Sequence, residues 1–243
     1  MIAGLYKMFD RWHFEGTLHI YSDTHFGDKD LASTMNRPSD EDHVKLINSK
    51  VGKNDTLILL GDVGDIEYAK KLKGYKVLLL GNHDGGRTNY ERKKWYKKFS
   101  KDEYTRNEAI AEMKKRHPGC KYSVEDVFMF SPPFEAWEVC ADNCLFDEVY
   151  EGPLIIGEKL ILSHEPLDIS CMFNIHGHTH DKHHKDDDHH FCVCSDLIGY
   201  LPVNMNQWMK SGALSKIESI HRSTINKATS NKKARGGKKI GEK

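Results

Sequence analysis

Neither sign of charge prevails in this 243-residue chain: 36 lysines and arginines face 36 aspartates and glutamates, for a formal net charge of zero. No global field therefore draws it onto DNA or an acidic membrane. No apolar run approaches the ~20 residues that cross a bilayer, so no membrane partner is expected. The opening stretch MIAGLYKMFDRWHFEG holds only short apolar pieces, broken by Lys7, Asp10 and Arg11. It lacks the continuous apolar segment of a secretory signal, and a cytoplasmic protein is expected. The six cysteines then count as reduced thiols. Cys140-x3-Cys144 and Cys192-x-Cys194 do not form a pair of CxxC knuckles, which argues against a structural zinc site. No internal repeat divides the chain.

Length and composition suit a globular protein with a buried core: 38% of residues are apolar and 30% charged. The 15 histidines are unusual and need a local explanation. Short apolar bursts recur in TLHIYSDTH (17–25), DTLILLGDVGD (55–65), YKVLLLGNHD (75–84), EKLILSHEP (158–166) and CMFNIHGHTH (171–180). Each burst is too short for a helix and too continuous for a half-exposed strand, as in the buried strands of an α/β sheet. Between them, Ser39 caps a helix that places Val44, Ile47 and Val51 on one face and stops at Gly52. DIEYAKKLKG predicts a second short helix ending at Gly74. Strand, helix, strand, helix, strand in this order predicts parallel βαβ units.

Residues 85–145 read as an insertion between two core strands, helical and basic over 89–117 and irregular over 120–150. Residues 1–222 then form one domain, and the lysine-rich stretch 223–243 reads as a disordered tail. The polar run KHHKDDDHH (182–190) reads as a solvated hairpin tip.

All five apolar bursts end in the same kind of residue: Asp23-Thr24-His25, Gly61-Asp62, Gly81-Asn82-His83-Asp84, His164 and His178-Thr179-His180. Ligands of open α/β sheets bind just beyond the carboxyl ends of the strands, so these groups are expected to converge. Carboxylates crowded together repel one another and take up protons. A pair of divalent cations relieves that repulsion. Imidazole and carboxylate suit manganese, iron, zinc or nickel, whereas magnesium alone would take mostly oxygens.

These motifs resemble the signature of the calcineurin-like metallophosphoesterase superfamily, over about residues 17–84 and 146–218, and DTHFGD with Arg37-Pro38 is similar to a subgroup of small bacterial and phage phosphoesterases. The resemblance implies a four-layer α-β-β-α sandwich, two mixed sheets flanked by helices, with two divalent ions at the strand ends, manganese first. Asp23, His25 and His180 would hold one ion, Asn82, His164 and His178 the other, and Asp62 both. His176 would be a buried hydrogen-bonding neighbour of the site. A hydroxide held between the ions would attack phosphorus in line. His83, free of metal, would give its proton to the leaving oxygen or stabilise the transition state, its charge kept by Asp65 or Asp84.

In the protein-phosphatase branch an arginine follows the position matching Asp65; here Ile66 stands there, which favours a phosphodiester or small-molecule substrate. Arg37 and Arg87, each just after a site motif, are candidates to grip a phosphate ester. Two alternatives are kept open. One is a nuclease or cyclic-nucleotide hydrolase, with nucleic acid gripped by the basic and aromatic stretch 91–98. The other is a non-catalytic scaffold, disfavoured because every ligand position holds a competent residue.

Overall fold

A computed structural model describes residues 16–181, 183 and 185–236. The expected strands form where the apolar bursts lie. β1 (Leu18–Tyr21), β2 (Thr56–Leu59) and β3 (Tyr75–Leu79) are parallel neighbours. The insertion carries β4 (Lys94–Ser100), β5 (Lys121–Phe130) and β6 (Pro133–Asp142). Then follow β7 (Glu148–Tyr150), β8 (Leu154–Ile156), β9 (Leu160–Leu162), β10 (Phe173–His176), β11 (His190–Cys192) and β12 (Val203–Asn204).

Among the described residues these strands make three sheets in a mixed α/β fold. The first runs β12-β1-β2-β3-β7, parallel except for β12, and the second runs β11-β10-β9-β8, parallel except for β8. Alternate side chains of each strand point to opposite faces. Ile20, Ile58 and Val77 on the inner face of the first sheet pack with Leu160, Leu162 and Ile175 of the second in one buried core. The outward set of the first sheet, Tyr21, Leu57, Leu59 and Leu78, is buried under helices. Each such apolar side chain contributes about 1.5–3 kcal/mol when fully buried.

The helices are α1 (Lys29–Met35), α2 (Asp40–Lys50), α3 (Ile66–Ala69), α4 (Arg106–Arg116), α5 (Met205–Lys210) and α6 (Ile220–Gly236). Ser39 caps α2 as expected, accepting from the Asp42 amide, and Val44 and Ile47 are buried against the first sheet. α3 is shorter than the DIEYAKKLKG pattern suggests: it ends at Ala69 and the chain turns before Gly74.

The insertion corrects two expectations. Residues 89–117 are not one helix: Lys94–Ser100 is a strand, and the α-helix is confined to Arg106–Arg116. In KWYKKFS, Trp95 and Phe99 lie on one face with Lys97 between them, a period of two rather than 3.6. That face packs on Ala109 and Met113 of α4. The helix starts at a capping box of Thr105 and Glu108. Residues 120–150 are not irregular either, because β5 and β6 pair from Lys121↔Asp142 to Phe130↔Pro133. Pro132 sits in the turn and Pro133 at the first position of its strand, where a missing N–H disrupts no ladder bond.

The expected tail also differs, since α6 spans 220–236; residues 237–243 lie outside the described residues. The Ser219 hydroxyl accepts from the Arg222 amide at the helix start, and no proline interrupts the run. The six cysteines are unpaired. No helix among the described residues is long and apolar enough to cross a membrane.

Candidate metal centre

The five strand ends meet. Asp23 and His25 follow β1, Asp62 follows β2, Asn82 follows β3, His164 follows β9, and His178 and His180 follow β10. The site thus straddles both sheets at the carboxyl ends of their parallel strands.

Ligand atoms of Asp23, His25 and His180 lie within 4.8 Å of one another, and so do those of Asp62, His164 and His178. Asp62 joins the two groups: its Oδ2 is 3.4 Å from His25 Nε2 and 3.3 Å from His164 Nε2. Asn82 Oδ1 lies 2.7 Å from His164 Nε2 and 3.1 Å from His178 Nδ1. All seven residues expected as metal ligands therefore share one centre.

The donor set fits divalent cations. Asp23 Oδ1 and His25 Nε2 are buried without a hydrogen-bond partner. Each such orphan costs about 1–3 kcal/mol unless something satisfies it. Both belong to the first triad, 3.9 Å apart. Asp23, His25, Asp62 and His178 also hold positive φ of 59°, 42°, 53° and 66°. Left-handed backbone at side-chain-bearing residues costs on the order of 1–3 kcal/mol each and gathers at functional sites. The loops are held there by bonds from the Asp23 amide to Gly61 O, the His25 amide to Asp62 O and the His178 amide to Asp23 Oδ2. Gly177 has to be glycine because a Cβ there would sit 2.0 Å from Ser22 Oγ and 2.4 Å from Asp23 Oδ2.

Electrostatics point the same way. Burial works against the Asp62 carboxylate, but the imidazoles of His164 and His25 beside it and the bond from the His83 amide hold its pKa well below the usual range. Burial likewise opposes the His164 imidazolium. Its bond to Asp62 and the Asp23 and Asp62 charges prevail and push its pKa up to about 9. A proton on His164 thus fills part of the role that a cation takes when carboxylates crowd.

Behind the ligands, two histidines are aimed by their Nδ1 atoms. His164 Nδ1 donates to Leu60 O at 2.7 Å, and His180 Nδ1 donates to Asp196 Oδ2 at 2.7 Å. This leaves each Nε2 facing the centre, 3.6 Å from Asp23 Oδ1 in the case of His180. Asp196 is held by a two-pronged contact with Arg37 and by the Tyr200 hydroxyl at 3.1 Å. These bonds keep its carboxyl well below the usual range in spite of burial. Sequence reasoning missed Asp196. Its signal was present, since FCVCSD is one more apolar run ending in an acid just past a strand.

Cys194 Sγ lies 3.4 Å from His180 Nδ1, and His180, Cys194 and Asp196 are close enough to count as a third group. Burial pushes the Cys194 thiol far up, and the His180 and Asp196 atoms are spent on each other and on Arg37. The group supports His180 rather than forming a separate centre.

Other expected roles change. Arg37 is not a substrate grip: its side chain is 3% exposed, bound to Asp196 and donating to Thr24 O at 2.9 Å. Arg87 ion-pairs with Glu91 and lines a surface recess that includes none of the seven ligands. Asp65 does not partner His83; it caps α3, accepting from the Glu67 amide at 2.9 Å. Asp84 does not either. Its carboxylate accepts from the Asp62, Val63 and Gly81 amides and from the Tyr90 hydroxyl, which locks the β2 and β3 loops together. His83 is exposed beside the first triad, its ring edge-on to His25 at 5.4 Å and its amide donating to Asp62 Oδ1. His176 is buried and donates from Nδ1 to Gly177 O at 2.8 Å.

In the stretch 91–98, Arg92 pairs with Asp142 and Asp147, Lys94 with Asp142 and Lys98 with Glu138. In the expected tip 182–190, Lys182 and His184 lie outside the described residues. Asp187 there binds the His190 ring, and Asp188 pairs with Lys216. A recess of about 210 Å³ opens beside the second triad, lined by Asn82, His164, Glu151, Glu165 and Leu167 among others and by no lysine or arginine.

No protein-family model matches the chain, and no curated protein matches it. A solved structure, the protein of unknown function AQ665 from Aquifex aeolicus, is similar over 80% of this chain and 98% of that one, at 18% identity and a TM-score of 0.46.

Proposed function

We propose that this chain is a dinuclear metal-dependent phosphoesterase, a hydrolase acting on phosphodiesters, built on the four-layer sandwich of the calcineurin-like metallophosphoesterases. The observation that carries this reading is the pair of ligand triads joined through Asp62, with Asp23 Oδ1 and His25 Nε2 buried and unpartnered beside it. Asp23, His25, His180 and Asp62 would hold one divalent ion, and Asp62, Asn82, His164 and His178 the other. Manganese, iron, zinc or nickel bound there would supply Lewis acidity and lower the pKa of water toward neutrality.

The protein's own residues do the rest. Asp84 keeps the β2 and β3 loops in register, so Asp62 and Asn82 present their oxygens together. Asp196 and Arg37 hold His180 in the tautomer that offers Nε2. Exposed His83, its ring 5.4 Å from that of His25 at the edge of the first triad, would be the residue to donate a proton to a leaving oxygen. Glu151 and Glu165 beside the second triad disfavour a dianionic monoester relative to a monoanionic diester. The nucleic-acid alternative has less support, because several cations of 91–98 are already paired.

The test combines elemental analysis with hydrolysis of a chromogenic phosphodiester. Protein supplied with manganese is expected to carry two divalent ions and to turn over. Asp62→Ala is expected to lose both properties, and His83→Ala only the second. Metal content unaffected by Asp62→Ala would sink the reading.

A further inference from the structure

A basic recess of about 530 Å³ lies at the opposite end of the parallel strands from the metal centre. The turn after α3 contributes Lys70, Lys71 and Lys73, the approach to β2 contributes Lys53, and the insertion contributes Arg92 and Lys121. Lys76, the second residue of β3, adds a seventh cation, against a single lining acid, Asp147. In a chain whose 36 basic and 36 acidic residues balance, that ratio is a strong local excess.

Part of the excess is neutralised: Glu67 pairs with Lys70, and Asp142 and Asp147 pair with Arg92. Lys71 lies over the Tyr68 ring and feels Glu41 at longer range, and Lys73 reaches Asn48 O at 3.3 Å. No carboxylate among the described residues ion-pairs with Lys53, Lys73, Lys76 or Lys121.

Lys76 separates this recess from an ordinary solvated lysine patch. It is 5% exposed, and its ammonium donates to Cys144 O at 2.7 Å and Ala69 O at 3.4 Å. Burial pulls its pKa down to about 8, so it remains charged at neutral pH. The ammonium hydrogen-bonds carbonyls alone, with the Asp147 charge and the Phe146 ring (5.9 Å) acting on it at longer range, and an anion entering the recess supplies a direct counter-charge.

We propose that this recess binds a compact, multiply charged phosphate anion, with Lys76 at its floor and Lys53, Lys73 and Lys121 around it. Lysines offer point charges that suit phosphate oxygens. No aromatic side chain lines the recess, so the recognised feature is a run of phosphates and not a base. The volume falls within the range of small-molecule sites, about 300–1,000 Å³. No imidazole lines it and its one carboxylate is paired, so the anion is bound there and not hydrolysed.

Tripolyphosphate titrated calorimetrically into the full chain, stripped of metal and freed of chelator, tests this independently of any turnover. One binding event is expected, weakened by added salt. Lys53→Gln with Lys121→Gln changes only exposed side chains and is expected to weaken binding by at least about tenfold. His164→Ala with His178→Ala is expected to leave it unchanged. Equal affinity in the lysine double variant, loss of binding in the histidine variant, or no binding by the wild-type chain would each overturn the proposal. None of these results touches the phosphoesterase reading, which stands or falls on metal content and diester hydrolysis.

Discussion

The two ends of the first sheet are charged in opposite senses. Past the carboxyl ends of β1, β2 and β3 stand Asp23, Asp62 and Asn82, joined by the imidazoles of the second sheet. At the amino ends of β2 and β3 stand Lys53, Lys76 and the lysines of the α3 turn. Each end is unbalanced, and each has a buried charged group incompletely paired: Asp23 Oδ1 accepts no hydrogen bond, and the Lys76 ammonium bonds only to carbonyls. A net charge of zero conceals both. Parallel topology is the cause, because it delivers every residue that follows a strand to one end and every residue that precedes a strand to the other.

The largest effect expected is at the acidic end. Asp62→Ala should lower diester hydrolysis by at least about a hundredfold, as when a major transition-state contact is removed. It should also empty the site by elemental analysis. Equal metal content in variant and wild type would remove the contrast between the two ends.

Next is the support behind His180. Arg37→Met leaves Asp196, 1% exposed, without its cation and should cost about 3–5 kcal/mol in urea unfolding. The same variant should weaken metal binding by about 10–100-fold through the loosened His180. A surface arginine gripping substrate would instead raise KM and leave stability alone, which makes this variant a direct check on its reassigned role. Asp84→Ala removes the acceptor of three loop amides and should cost about 3 kcal/mol, with folding measured apart from activity.

The smallest effect belongs to the basic end and runs with pH. Lys76 sheds its proton at about pH 8 in the folded chain and at 10.5 when unfolded. The unfolded chain therefore binds more protons between these values, and stability rises with pH across that window, by roughly 2.5 kcal/mol. The difference in urea midpoint between wild type and Lys76→Met should trace this rise. A flat difference from pH 8 to 10.5 would show that the buried ammonium is not strained.

Legibility differed between core and insertion for a physical reason. Strands β1, β2, β9 and β10 are buried along their length, as is β3 after Tyr75, so they are written as mostly apolar runs with the functional residue two or three positions past the end. β4 buries only one face of a small satellite sheet, and its lysines alternate with aromatics in a way that also suits a basic helix. The capping box at Thr105 marked the true helix start, but only after Ser100 had ended the strand.

The sequence alone determined the run-and-terminus pattern: which five core segments are strands, and that Asp, Asn or His follows each of them. Those are local properties, carried by neighbours a few residues apart. Only the tertiary structure decided which acid meets which base. Arg37 and Asp196 are 159 residues apart, and Asp84 found loop amides rather than His83. The burial of Lys76 and the orphaning of Asp23 Oδ1 depend on how sheets and loops close over them, because desolvation is a property of the assembled surroundings and not of the chain's order.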